Sequence, residues 1–135
     1  MLTSTTKLRV RYGETDRMGY SYYGNYLLYY EVGRTEMLRE HGLTYKQMED
    51  SGILLPVANV NIEYIKPALY DELLTIKTTL AKMPLVKLEF LYEIFNEQAE
   101  LLNRGTTLLV FTSKKTRKPT RAPEYFLERV SPYFK

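Results

Sequence analysis

The segment Tyr26-Leu27-Leu28-Tyr29-Tyr30 most constrains how this chain folds, because it is apolar or aromatic on every side of a helix. The surrounding residues, from about Tyr22 to His41, carry a helical pattern, and Gly42 supplies a stop just past the last turn. A helix apolar all round in its first half must be covered all round there. Its second half, Arg34-Thr35-Glu36 and Arg39-Glu40-His41, turns polar on one face and is expected to emerge toward solvent.

The cover comes from strands. Residues 7–12 alternate Lys7/Arg9/Arg11 against Leu8/Val10/Tyr12, the period of a half-buried strand. Residues 57–65 set Ala58/Val60/Ile62/Tyr64 against Asn59/Asn61/Glu63, and 73–80 set Leu74/Ile76/Leu80 against Lys77/Thr79. Residues 86–94 set Val86/Leu88/Phe90/Tyr92/Ile94 against Lys87/Glu89/Glu93, and Asn96-Glu97-Gln98-Ala99 turns the chain into a last long strand, about 100 to 112. Gly105 interrupts that strand, and a glycine there marks a bulge or the close approach of another backbone, for which the buried helix is the natural candidate. Short helices are expected from a Thr44 N-cap to Gly52 and at 124–130 after Pro123. The order implies one α+β domain over 1–135, an antiparallel sheet wrapped around a long central helix.

Between the first strand and the helix lies Arg11-Tyr12-Gly13-Glu14-Thr15-Asp16-Arg17-Met18-Gly19-Tyr20, an acidic turn that brings a carboxylate beside a helix start. Such a pairing can do chemistry, since the carboxylate supplies a base or nucleophile and the unpaired N–H groups of a helix's first turn form a positive site. For Asp16 the competing reading is a turn carboxylate that accepts from its own backbone. Glu14 reads as an exposed turn residue, and Glu31 as the partner of Arg34 three residues on.

Composition removes several alternatives. The chain has no cysteine, so thiolate chemistry and disulfides are excluded, and no stretch approaches the roughly 20 apolar residues of a membrane span. The start, Met1-Leu2-Thr3-Ser4-Thr5-Thr6, lacks the apolar core of a secretory signal, which leads to the expectation of a soluble, cytoplasmic protein. No His/Cys/carboxylate spacing suits a metal, so none is expected. Nineteen Lys+Arg against sixteen Asp+Glu give +3, a balance that favours anionic ligands without demanding nucleic acid. Lys114, Lys115, Arg117, Lys118 and Arg121 crowd one segment, which reads either as a phosphate contact or as a solvated loop.

In these residues the chain resembles the hotdog-fold acyl-CoA thioesterases of the 4-hydroxybenzoyl-CoA thioesterase family. The resemblance rests on the spacing from Tyr12 through Asp16 to Gly19, on Asn25-Tyr26 and Glu31, and more weakly on Tyr64-Ile65-Lys66-Pro67-Ala68 before Asp71 and on Gly105. It implies a hotdog fold, assembly as homodimers or homotetramers, and sites at the subunit boundary. It also implies a catalytic carboxylate at Asp16 and a main-chain N–H at Tyr23, with Gly24 beside it, that polarises the thioester carbonyl. Many short-chain relatives carry histidine where Tyr23 stands; the lone His41 lies at the far end of the helix. That placement argues against a hotdog dehydratase, whose chemistry pairs histidine with a carboxylate.

The resemblance makes acyl-CoA the substrate, with coenzyme A as part of it and no separate cofactor. Asn25 is a candidate substrate-binding residue, and Lys87, Lys114, Lys115 and Arg117 are candidates for the CoA phosphates. The alternative is a non-catalytic acyl-binding module that docks an acidic acyl carrier protein through its basic segment. Asn59, Asn61 and Glu63 either line a partner's site or form a solvated face.

Overall fold

The computed structural model describes residues 1–135. Five strands form one antiparallel sheet: β1 (Leu2–Arg9), β3 (Val57–Tyr64), β4 (Leu73–Leu80), β5 (Lys87–Phe95) and β6 (Leu101–Val110), in the spatial order β1-β4-β5-β6-β3. The long helix α1 (Asn25–Glu40) lies across its inner face. A short helix α2 (Tyr45–Asp50), a two-residue pair of β2 (Ile53–Leu54) with β7 (Thr112–Ser113), and a terminal helix α3 (Glu124–Val130) close the far end. This is the expected hotdog arrangement of sheet around helix.

The strand alternations of β4 and β5 translate directly into packing. Leu74, Ile76 and Leu80 of β4 and Leu88, Phe90, Tyr92 and Ile94 of β5 are buried against α1, with the intervening charged residues outside. Helix and sheet approach closely at two glycines. A Cβ on Gly33 would lie 2.5 Å from Thr78 Oγ1, and one on Gly105 would lie 2.5 Å from the Asn61 carbonyl and 2.9 Å from the Tyr30 ring. The second confirms that a helix side chain presses on the sheet at Gly105, together with the neighbouring strand's backbone. Tyr30 then stacks on Tyr92 at 4.2 Å with ring planes 3° apart, and its hydroxyl donates to Asn103 Oδ1 at 2.6 Å.

Several expectations need correction. The helix is not covered all round: Tyr26, Tyr29, Tyr30, Gly33, Arg34, Met37 and Leu38 are buried, but Leu27, Leu28 and Val32 are exposed, because one sheet covers one side only. Strand β1 begins at Leu2 rather than residue 7; Leu-Thr-Ser-Thr-Thr has little hydropathic alternation, and pairing along β4 holds it. Tyr12 is exposed and belongs to a 3-10 turn, Tyr12–Glu14. Strand β3 sits at the sheet edge, where only Ile62 of its expected inner face is partly covered. Arg34 does not pair with Glu31. It is only 7% exposed, and Nε donates to the Tyr45 hydroxyl at 2.8 Å while Nη1 reaches toward the Tyr92 hydroxyl at 3.5 Å. The buried guanidinium thus ties α2 and β5 to α1, its charge met by phenol oxygens.

Candidate active site

The turn that carries Asp16 is held by its own backbone. Asp16 N donates to the Tyr20 carbonyl at 2.8 Å, Gly19 N returns to the Asp16 carbonyl at 3.1 Å, and Gly19 takes the left-handed φ of +78° that the reversal requires. Asp16 Oδ1 accepts from Met18 N at 2.9 Å and more weakly from Tyr20 N at 3.4 Å. These contacts fulfil the turn-forming role open to any aspartate here. They occupy one oxygen only: Oδ2 has no hydrogen-bond partner in the chain.

Five residues beyond the turn, helix α1 begins. Asn25 N is taken by the Tyr22 carbonyl at 2.9 Å and Tyr26 N by that of Tyr23 at 3.4 Å, but the N–H groups of Tyr23 and Gly24 find no acceptor. Unsatisfied donors at a helix start carry the positive end of the helix dipole. Asp16 and Tyr23 line one cavity of about 290 Å³, together with Tyr20, Tyr26, Tyr64 and Lys66. Its aromatic wall is mutually braced: the Tyr23 and Tyr64 rings meet edge to face at 6.4 Å, and Tyr26 lies 5.6 Å from Tyr64. The Tyr26 hydroxyl accepts from Ala68 N at 3.1 Å, and burial raises its pKa, so it stays protonated.

Glu14 is not the exposed turn residue expected. Its carboxylate accepts from Arg11 N and from Tyr29 Oη, both at 2.9 Å, and pairs with the Arg11 guanidinium at 2.9 Å. Burial on its own would raise its pKa; the Arg11 and Tyr29 donors outweigh that and hold the carboxyl below the usual range. The Asn25 side chain donates to the Glu14 carbonyl at 2.7 Å, so one of its two amide hydrogens is spent on the turn.

The basic candidates stand elsewhere. Lys87 lines a separate cavity of about 490 Å³ with Lys82, Met83, Leu85 and Val86. Phe111 N bonds the Val86 carbonyl and Lys114 N the Gly52 carbonyl, so Lys87 and the 114–118 turn share the far end of the sheet. In the β3–β6 register Tyr64 faces Asn103, whereas Lys87 of β5 faces Val110. Seven residues of strand separate the two positions, about 24 Å. Within one chain, therefore, Lys87, Lys114, Lys115 and Arg117 do not join Asp16. Lys66, in the Lys66-Pro67-Ala68 stretch and not among the candidate site residues, lines the Asp16 cavity and pairs with Glu100.

His41 caps the far end of α1, its ring 5.0 Å from Tyr133. No group of three or more His, Cys, Asp or Glu side chains is arranged to hold a metal ion, and no helix is long and apolar enough to cross a membrane.

The sequence profile of the thioesterase-like superfamily matches residues 10–130. The chain is 36% identical to the Bacillus subtilis protein YneP over 126 residues, 93% of this chain and 91% of that one. It is 33% identical to the acyl-CoA thioester hydrolase YbgC of Escherichia coli O6:H1, covering 87% of each chain. Among solved structures, a DHNA-CoA thioesterase from Staphylococcus aureus superposes with a TM-score of 0.91 at 38% identity, covering 99% of this chain and 90% of that one.

Proposed function

The chain belongs to the thioesterase-like superfamily and is a thioester hydrolase, and from that premise we propose that it cleaves acyl-CoA at Asp16. The observation that carries this reading is the cavity shared by Asp16, a carboxylate with one oxygen anchored and one free, and Tyr23, whose N–H lacks an acceptor as does that of the adjoining Gly24. The thioester carbonyl oxygen accepts from the Tyr23 and Gly24 N–H groups, which stabilise the oxyanion as the carbonyl carbon becomes tetrahedral. Asp16 Oδ2 supplies the attack in one of two ways. As nucleophile it bonds the carbonyl carbon and expels the CoA thiolate, leaving a mixed anhydride that water hydrolyses. As general base it takes a proton from water, whose oxygen attacks instead. Either route yields a carboxylic acid and free CoA thiol.

Assembly of two or four copies is part of this reading. Edge strand β3 is exposed, and Leu27, Leu28, Tyr23 and Tyr64 form apolar surface beside the cavity that a second copy would cover. Lys87, Lys114, Lys115 and Arg117 serve the CoA phosphates in this scheme only where assembly brings the far end of one copy beside Asp16 of another.

The test is free-thiol release from short-chain, long-chain and aromatic acyl-CoAs by the wild type and Asp16→Asn. Turnover that collapses in the variant supports the reading and identifies the acyl class. An Asp16→Asn protein at the wild-type rate would overturn it, and silence of the wild type on every thioester would turn attention to acyl binding or carrier-protein docking.

A further inference from the structure

The geometry points to Glu14 as the positioning residue of this site, which sets the distance between the Asp16 carboxylate and the Tyr23 and Gly24 N–H groups. The inference rests on the hydrolase reading above. Catalysis there needs two parts on different elements, a carboxylate on a turn and donors on a helix, held in one fixed relation. Glu14 bonds both elements. Its carbonyl accepts from Asn25 Nδ2 at 2.7 Å and from Tyr22 N at 2.8 Å, which fastens the turn to the residues on either side of Tyr23 and Gly24. Its carboxylate accepts from Tyr29 Oη at 2.9 Å, one helical turn further along α1. Tyr29 has one hydroxyl hydrogen, and since Glu14 takes it, the buried Ser21 must donate to Tyr29 across their 2.8 Å contact. Ser21 in turn bridges Thr15, the neighbour of Asp16. The loop of bonds thus closes around the catalytic turn: Glu14 to helix, helix to Ser21, Ser21 to Thr15.

Asp16 contributes nothing to this clamp through its side chain, since its one anchored oxygen binds only its own turn. The main-chain bonds of Glu14 fix the helix start, and its carboxylate, which never meets substrate, adds the link to Tyr29 one turn on. Glu14→Gln keeps the shape and the main-chain bonds but removes the charge and replaces one of the two oxygens that accept from Arg11 and Tyr29 with an NH2 donor.

The experiment compares wild type, Glu14→Gln, Tyr29→Phe and Asn25→Ala, and Glu14→Gln combined with Asp16→Asn. It measures kcat and KM on one hydrolysed acyl-CoA, the affinity for free CoA, and melting temperature. Glu14→Gln is expected to lower kcat about 10- to 100-fold, the cost of an ångström-scale misplacement, with KM and CoA affinity kept. In the Asp16→Asn background it is expected to lower the residual rate no further. Tyr29→Phe should cost less than Glu14→Gln, and Asn25→Ala carries the same expectation should Glu14→Gln fail to fold. An unchanged kcat in well-folded Glu14→Gln, or losses of kcat, KM and CoA affinity that simply track melting temperature, would overturn the inference. Both outcomes differ from failure of the hydrolase reading, which would appear as an inactive wild type or a fully active Asp16→Asn.

Discussion

The two ends of the sheet hold charge in opposite ways. At the Asp16 end a connected set of polar groups is tied within the chain: Glu14 to Arg11, Tyr29 and Asn25, Ser21 to Tyr29, and one Asp16 oxygen to its own turn. Beside that set, Asp16 Oδ2 and the N–H groups of Tyr23 and Gly24 remain free. At the other end Lys87, Lys114, Lys115 and Arg117 form no ion pair within the chain. A built site holds reacting atoms in position, whereas solvated cations attract an anion without fixing its orientation. The two ends should therefore respond to mutation in different kinetic constants.

The largest effect should fall on the built end. Asp16→Asn is expected to lower kcat by roughly 100-fold or more while CoA affinity changes little, as read from thiol release and calorimetry. A variant that lost affinity and kept kcat would erase the contrast. Between the ends, Tyr30→Phe strips the partner from the buried Asn103 Oδ1, whose Nδ2 already lacks one. It should cost about 1–3 kcal/mol in urea unfolding and spare both kinetic constants of the folded fraction.

Replacing Lys114, Lys115 and Arg117 together by Ala should raise KM for acyl-CoA severalfold at low salt, with kcat unchanged and the difference vanishing as salt screens it. A fall in kcat would give the far end a fixed role that its solvation argues against. The smallest effect is one of pH. Glu14 is held below the ordinary carboxylate value of 4.5, so it adds stability that is fully present above that value and is lost as pH falls through the lowered one. The melting-temperature gap between wild type and Glu14→Gln should accordingly hold steady from neutrality to about pH 5 and close only in stronger acid. Finally, a strong chelator is expected to leave thiol release unchanged; loss restored by one divalent ion would add a component to the site.

What the sequence disclosed follows from range. Asp16 and Tyr23 are seven residues apart in sequence and share a cavity, so a local motif was enough to propose them together. The faces of β4 and β5 were readable because a central strand buries one side and the alternation reports it. Strand β3 alternates just as cleanly, yet it lies at the edge, and alternation does not say where in a sheet a strand falls. Arg34 looked polar and outward for want of Tyr45 and Tyr92, one 11 and the other 58 residues away. The separation of Lys87 from Asp16 within one chain is hidden for the same reason: antiparallel register, a long-range property, sends them to opposite ends. Glu14 reads as exposed because its partner Tyr29 lies 15 residues on, across a turn and the first turn of α1.

The stacked pair of Tyr30 and Tyr92 makes the protein its own optical gauge. With thirteen tyrosines and no tryptophan, near-ultraviolet circular dichroism comes from phenol rings in fixed asymmetric surroundings, and this pair couples at 4.2 Å with one ring on the helix and the other on the sheet. A lifted helix would silence that coupling while the far-ultraviolet spectrum still reported intact secondary structure. The seating of the helix can thus be followed during assembly or ligand addition without attaching any dye.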